Sequence, residues 1–181
     1  ITLNDIFPFV RLTSNDPNQV KRVMDAGALG IIVPMVKTIE DIKTASNAMY
    51  YPNKGTRSVG LARAQEYGRD LKGYIKSLEK YGTLIVQIEH IDAVNNIEQI
   101  FSNKAIDGYL IGPNDLSASM GIPGDLKNKK LKKAINFINE QAKKYNIPGG
   151  QHIIEPSIQE LSQAKKDGFK FIAYSLDIRL F

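Results

Sequence analysis

Cysteine and tryptophan are absent from the 181 residues, and histidine occurs only twice. Without cysteine there is no disulfide and no thiolate metal site. So few histidines also argue against a centre for a softer cation. No apolar run approaches the roughly 18 residues that a membrane-spanning helix needs. The N-terminus has no basic, apolar and small-residue succession of an export signal. These absences suggest a reducing compartment, with the cytoplasm as the expected location and no membrane partner. Sequence repeats, low-complexity tracts and a glycine-rich nucleotide fingerprint are also missing. Gly27-Ala28-Leu29-Gly30 follows a predicted helix, the wrong context for a phosphate loop.

What is present is an ordinary globular composition. A 43% hydrophobic content over 181 residues can bury one good core, so residues 1 to 181 read as a single domain. The net charge of +5 raises the question of nucleic acid. Its densest stretch, Lys127 to Lys133, opens an amphipathic helix with Leu131, Ile135 and Ile138 on one face and no interleaved aromatics. That pattern is a solvated helix surface, and no nucleic-acid partner is expected.

Strand and helix patterns alternate along the chain. Phe9–Leu12 reads as a strand, and Asn15-Asp16-Pro17 caps a helix through about Ala26. Gly30–Met35 is the next strand, followed by a helix from Thr38 to about Met49. A longer connection, 51 to 68, carries Arg57 and Arg63 before a helix over 70 to 80. Strands at 84–90, 108–111, 148–154 and 169–175 follow, with helices over 92–101, the lysine-rich segment and the stretch from Pro156 to Gly168. Six strands and six helices in even alternation predict a parallel α/β fold, and a barrel fits better than an open doubly wound sheet. A closed (β/α)8 TIM barrel needs eight strands in about 250 residues. The chain therefore reads as about six of the eight βα units.

Two strands about two dozen residues apart organise this pattern. Leu84-Ile85-Val86-Gln87-Ile88 ends at Glu89, and Gly108-Tyr109-Leu110-Ile111 leads to Asp115. As strand-end carboxylates of neighbouring parallel strands, Glu89 and Asp115 would share the rim where α/β enzymes place their chemistry. Two oxygen donors on one rim suit a hard divalent cation.

A set of motifs in matching order carries a family resemblance: Phe9-Val-Arg11-Leu, Ile32-Val-Pro-Met35, Gly55-Thr-Arg-Ser-Val-Gly60, Val86-Gln-Ile-Glu89 and Ile111-Gly-Pro-Asn-Asp-Leu-Ser117. The chain resembles the HpcH/HpaI class II aldolases, which have TIM-barrel folds and release pyruvate. The resemblance implies metal-dependent aldol cleavage of a 4-hydroxy-2-oxo acid to pyruvate and an aldehyde. It implies Mg²⁺ or Mn²⁺, with Co²⁺ as a further candidate, bound by Glu89 and Asp115. Arg11 falls on the arginine that contacts the keto oxygen, Gln87 on a polar residue beneath pyruvate, and Gly112 and Asn114 on positions whose N–H groups hold the substrate carboxylate. The Phe9 strand corresponds to the third barrel strand, so the chain spans the third to eighth. The family's catalytic histidine, on the second strand, has no counterpart here. Relatives of this kind assemble as homo-oligomers, with a hexamer expected, and the partner is a small 2-oxo acid.

The chemistry is coherent with that assignment. Cleavage leaves an enolate, and a cation held by only two carboxylates keeps positions open for a bidentate 2-oxo acid. Arg11 would add fixed positive charge at the same oxygen. No lysine sits at an obvious strand end, which argues against a Schiff base. Structural alternatives stay open. Glu89 could partner a helix cap, Asp115 could form a turn, and Arg11 could be a plain ion pair. Arg57 and Arg63 suit loop ordering, and alternation points His90 away from the cation. His152 ends the fifth strand and fits either a substrate contact or a buried structural histidine. Asp177 is rim-placed. A barrel lyase acting on an acyl-CoA and a non-catalytic truncated barrel remain alternative functions.

Overall fold

The computed structural model describes residues 6 to 180. Its six strands are β1 (Phe9–Arg11), β2 (Gly30–Val33), β3 (Thr83–Ile88), β4 (Gly108–Ile111), β5 (Gly149–Ile153) and β6 (Phe171–Tyr174). They form one parallel sheet in the order β1-β2-β3-β4-β5-β6. Parallel crossovers share one hand, so a sheet whose order never reverses carries every connecting helix on the same face. A doubly wound sheet would reverse at a switch point. The result is an α/β fold in which the sheet curls into a parallel half-barrel.

Alternation along the strands separates two environments. Leu84, Val86 and Ile88 of β3 are fully buried in the cluster that packs under the helices, while Ile85 lies outside that cluster. On the inner face, Arg11 pairs in register with Ile32 and Ile32 with Ile85. One layer up, Gln87 pairs with Leu110, Leu110 with Gly150 and Gly150 with Phe171. The Phe171 ring occupies the space a Cβ at Gly150 would need. Large ring and glycine thus interdigitate across the inner layer.

The helices are α1 (Pro17–Asp25), α2 (Ile39–Met49), α3 (Leu71–Tyr81), α4 (Ile91–Asn95), α5 (Ile97–Ser102), α6 (Pro113–Ser119), α7 (Lys129–Tyr145), α8 (Ile158–Lys166) and α9 (Asp177–Leu180). Local chemistry starts them where expected: Asp16 caps α1 with Pro17 at its first position, and Thr38 and Asp41 form a capping box on α2. α7 ends at Asn146 in the left-handed conformation, a usual terminator.

Three expectations are corrected. The single helix over 92–101 is broken at Asn96 into α4 and α5, because the Asn96 amide reaches out to donate to the Lys37 carbonyl at 3.0 Å. The loop after β4 contains α6, so Asp115 stands in a helical first turn and not at a strand end. α9 follows β6, which takes the described α-helices to nine, beyond the six read from the sequence. Among the described residues no helix is long and apolar enough to cross a membrane.

The long connection after α2 is organised by Arg57, only 2% exposed. Its guanidinium donates to Asp25 and, at 3.1 Å, to the Tyr74 hydroxyl, and it stacks on the Tyr51 ring at 4.6 Å. Burial alone would push the Asp25 carboxyl up, but bonds and charges from Lys21 and Arg57 outweigh it and hold the group below its ordinary range.

Candidate active site

Glu89 follows β3 directly and is 1% exposed. Its Oε1 accepts the Met35 backbone N–H at 2.8 Å. Met35 follows β2 with φ of 54°, a left-handed conformation that costs energy in a residue with a side chain and is concentrated at functional sites. That turn is held in place by its surroundings. Lys37 N–H and Thr38 N–H both donate to Asp41, and Asn96 fixes the Lys37 carbonyl. The break between α4 and α5 thereby helps position Glu89.

The other oxygen, Oε2, is buried and has no hydrogen-bond partner. Burial raises the Glu89 pKa above its ordinary value; the Met35 bond opposes the rise, and the negative charge of Asp115 adds to it. Two carboxylates that close to each other, one with an unmet acceptor, lack positive charge between them. Arg11 supplies part of it, with its guanidinium 3.9 Å from Glu89 Oε1. Arg11 is steered there by Gln87, which accepts its Nε–H at 3.2 Å. Because the Arg11 side chain is 48% exposed, solvent weakens this pair and it does not neutralise the site.

Gly112 makes room for the carboxylate. A Cβ there would stand 2.5 Å from Glu89 Oε2 and 3.1 Å from Gln87 Nε2. Its N–H is committed to the Ile88 carbonyl at 3.2 Å, so the ladder between β3 and β4 already uses the donor that the resemblance assigns to the substrate. Asn114 lies in the first turn of α6, where helical bonding has no use for the N–H. Ser117 anchors that turn, donating to the Asn114 carbonyl at 2.7 Å and accepting from Gly124 N–H at 3.0 Å. Ser119 accepts the Ile91 N–H at 3.0 Å and joins α6 to the segment that follows Glu89.

The structure thus brings together Arg11, Gln87, Glu89, Gly112 and Asp115. His90 turns away and caps α4, accepting the Asp92 N–H at 3.1 Å on Nδ1. Arg57 belongs to the loop network. The Met35 main chain is the contributor that residue types do not announce. Among the described residues no group of three or more histidine, cysteine or acidic side chains is arranged for a metal. The donor set is two carboxylates, of which one oxygen is buried and unpartnered, and this fits a hard cation that retains open positions.

Comparison with known proteins agrees with this architecture. Residues 2–181 match the family model described as HpcH/HpaI aldolase/citrate lyase. A hydroxypyruvate/pyruvate aldolase of Sagittula stellata is 37% identical over 169 residues, 93% of this chain and 66% of its own length. A 5-keto-4-deoxy-D-glucarate aldolase of Enterobacter is 31% identical over 175 residues, 96% of this chain and 67% of its own. The chain therefore spans about two thirds of these relatives. The crystal structure of an HpcH/HpaI aldolase/citrate lyase family protein from Burkholderia cenocepacia superposes with a TM-score of 0.86 at 28% identity, covering 96% of this chain and 68% of that one. The chain belongs to the HpcH/HpaI aldolase/citrate lyase family.

Proposed function

We propose that this chain carries the enolate-stabilising part of a metal-dependent aldolase that cleaves a 4-hydroxy-2-oxo acid into pyruvate and an aldehyde. The observation that carries the reading is the buried Glu89 carboxylate, one oxygen clamped by Met35 N–H and the other unpartnered beside Asp115. Glu89 and Asp115 would hold the divalent cation, Mg²⁺ or Mn²⁺. When bound, it supplies Lewis-acid polarisation of the 2-oxo group. Arg11, oriented by Gln87, places a delocalised positive charge at the same rim and stabilises the negative oxygen that develops as the carbon–carbon bond breaks. Asn114 N–H is the donor for the substrate carboxylate. Gly112 contributes clearance instead of a hydrogen bond.

The six βα units are read as the third to eighth of a (β/α)8 barrel, residues 1 to 181 forming one part of a single barrel domain. The base that takes the 4-hydroxyl proton is assigned, by resemblance, to a histidine of the second barrel strand. Assembly as a homo-oligomer rests on the same resemblance, and light scattering of the whole protein would test it.

Oxaloacetate decarboxylation tests the enolate half without needing an aldehyde pocket. Loss of CO₂ leaves the same pyruvate enolate, which is then protonated. The whole protein should catalyse it with Mg²⁺ or Mn²⁺, and Glu89→Gln combined with Asp115→Asn should abolish it while the thermal unfolding transition stays cooperative. Undiminished turnover of the double variant in a chelator would refute the reading.

A further inference from the structure

The polar groups of the proposed site are confined to one side of the barrel mouth. Arg11 and Gln87 come from β1 and β3, Glu89 directly follows β3, and Asp115 stands in the first turn of α6. On the side built by β5 and β6, His152 is an inward polar side chain with no hydrogen bond among the described residues. The Leu110–Gly150 pairing places Gly112 beside His152 when the register is continued by two residues. Continuing the β3–β4 register by one residue places Glu89 beside Gly112. His152 is itself paired with Ala173. Glu89, Gly112, His152 and Ala173 therefore form one layer, above the floor made by Leu110 and the Phe171 ring over Gly150.

Alternation fixes the direction of His152. Its neighbours Gln151 and Ile153 belong to the other face, with Ile153 buried. The flanking residues in the layer, glycine and alanine, leave both sides of the imidazole uncovered. His152 stands inside a paired strand, and no hydrogen bond ties its ring to another described residue. A structural histidine would be hydrogen-bonded. Ser175, the next polar residue along β6, is not equivalent, because its hydroxyl donates to the Ile154 carbonyl at 3.0 Å.

We propose that His152 is a specificity-determining residue, binding the polar substituent of the aldehyde partner on the β5–β6 side of the mouth and selecting hydroxylated aldehydes over aliphatic ones. The inference rests on the reading in the preceding subsection. An aldehyde attacked by an enolate held near Glu89 and Arg11 must approach from the side those groups leave open. There, the Phe171 and Leu110 floor offers only apolar contact. A neutral imidazole has one donor and one acceptor, so it satisfies a hydroxyl in either sense. An aldehyde lacking that hydroxyl leaves the imidazole's bonds to water unreplaced.

The test uses the whole protein with pyruvate and Mg²⁺ and compares glycolaldehyde with acetaldehyde, and glyceraldehyde with propanal. His152→Leu removes the hydrogen bond, and His152→Gln keeps a donor and an acceptor. The Leu variant should lose about 3- to 10-fold in the ratio of kcat/KM for hydroxylated over plain aldehyde, the range set by one neutral hydrogen bond. The Gln variant should retain most of that ratio. Both should keep wild-type oxaloacetate decarboxylation, which needs no aldehyde. An unchanged ratio in His152→Leu overturns the assignment, as does a parallel fall in decarboxylation and aldol addition. Absence of decarboxylation in the wild type would instead strike at the proposed function.

Discussion

Glu89 is destabilising where it stands. Its pKa is raised by burial and by Asp115, so the folded state binds its proton more tightly than the unfolded chain does. For a carboxyl with a raised folded pKa, stability is greatest while the group is protonated and falls as pH rises through the window between the unfolded and folded values. Without divalent cation, Glu89→Gln should therefore melt higher than wild type at neutral pH, by an amount on the order of 1 kcal/mol, with the gap closing in acid. Saturating Mg²⁺ should reverse the order, since a ligand at about 100 times its Kd stabilises by about 2.7 kcal/mol and the variant has lost a ligand. Calorimetric scans against pH, with and without Mg²⁺, check both signs.

Gly112 gives a second residue-scale expectation. Its φ of −102° is open to any residue, so the argument rests on space alone. Gly112→Ala sets a methyl against Glu89 Oε2 and Gln87. Overpacking of this kind costs about 1–3 kcal/mol, and Mn²⁺ affinity measured by titration calorimetry should fall with it. Wild-type Mn²⁺ affinity in this variant would show that Glu89 can relax away without cost. The sequence exposed Glu89, Asp115 and Arg11 because side-chain chemistry is written in residue types. It did not expose Met35, whose contribution is a peptide N–H and whose left-handed turn carries no glycine or asparagine to mark it.

At the scale of elements, β2, β3, β4 and β6 were legible because each is a short apolar run bounded by turn residues, while β5, Gly-Gly-Gln-His-Ile, gave a weaker signal. The break at Asn96 was not, because α4 and α5 continue one helical pattern and the cause of the break is a bond to Lys37 in another element. Pro113-Asn114-Asp115 reads as turn chemistry, yet proline at the first position starts a helix equally well. The link from α1 to the connection after α2 was also hidden, since Asp25 and Arg57 are 32 residues apart. Asp25 has a depressed pKa, so it contributes stability that is present above the unfolded carboxylate range and lost as pH falls through its folded pKa. Asp25→Asn should cost about 1–3 kcal/mol at pH 7, because the buried Arg57 loses its counter-charge. Thermal melts between pH 7 and pH 2 should show the two proteins converging in acid. A constant difference across that range would assign the stability to packing alone.

For the whole molecule, the parallel sheet has two outer strands, β1 and β6, each paired on one side among the described residues. Phe9 on the inner face of β1 is 46% exposed. Unpaired strand edges and exposed rings favour association. A preparation of the 181-residue chain should bind a hydrophobic dye and elute above its 20.2 kDa mass, and a form with β1 and β6 paired to further strands should not bind the dye. A monodisperse 20.2 kDa species without dye binding would contradict this expectation.

The clamp on Glu89 belongs to the peptide chain, and Met35 is 43% exposed. Charge placement and mouth shape are thereby written in different alphabets at one position. Substitution at 35 can widen or narrow the entrance while the amide continues to hold the carboxylate, provided that the new residue keeps an N–H and tolerates a left-handed turn. Diversification of what enters the barrel is uncoupled there from the chemistry performed inside it, and proline is the residue that would couple them again.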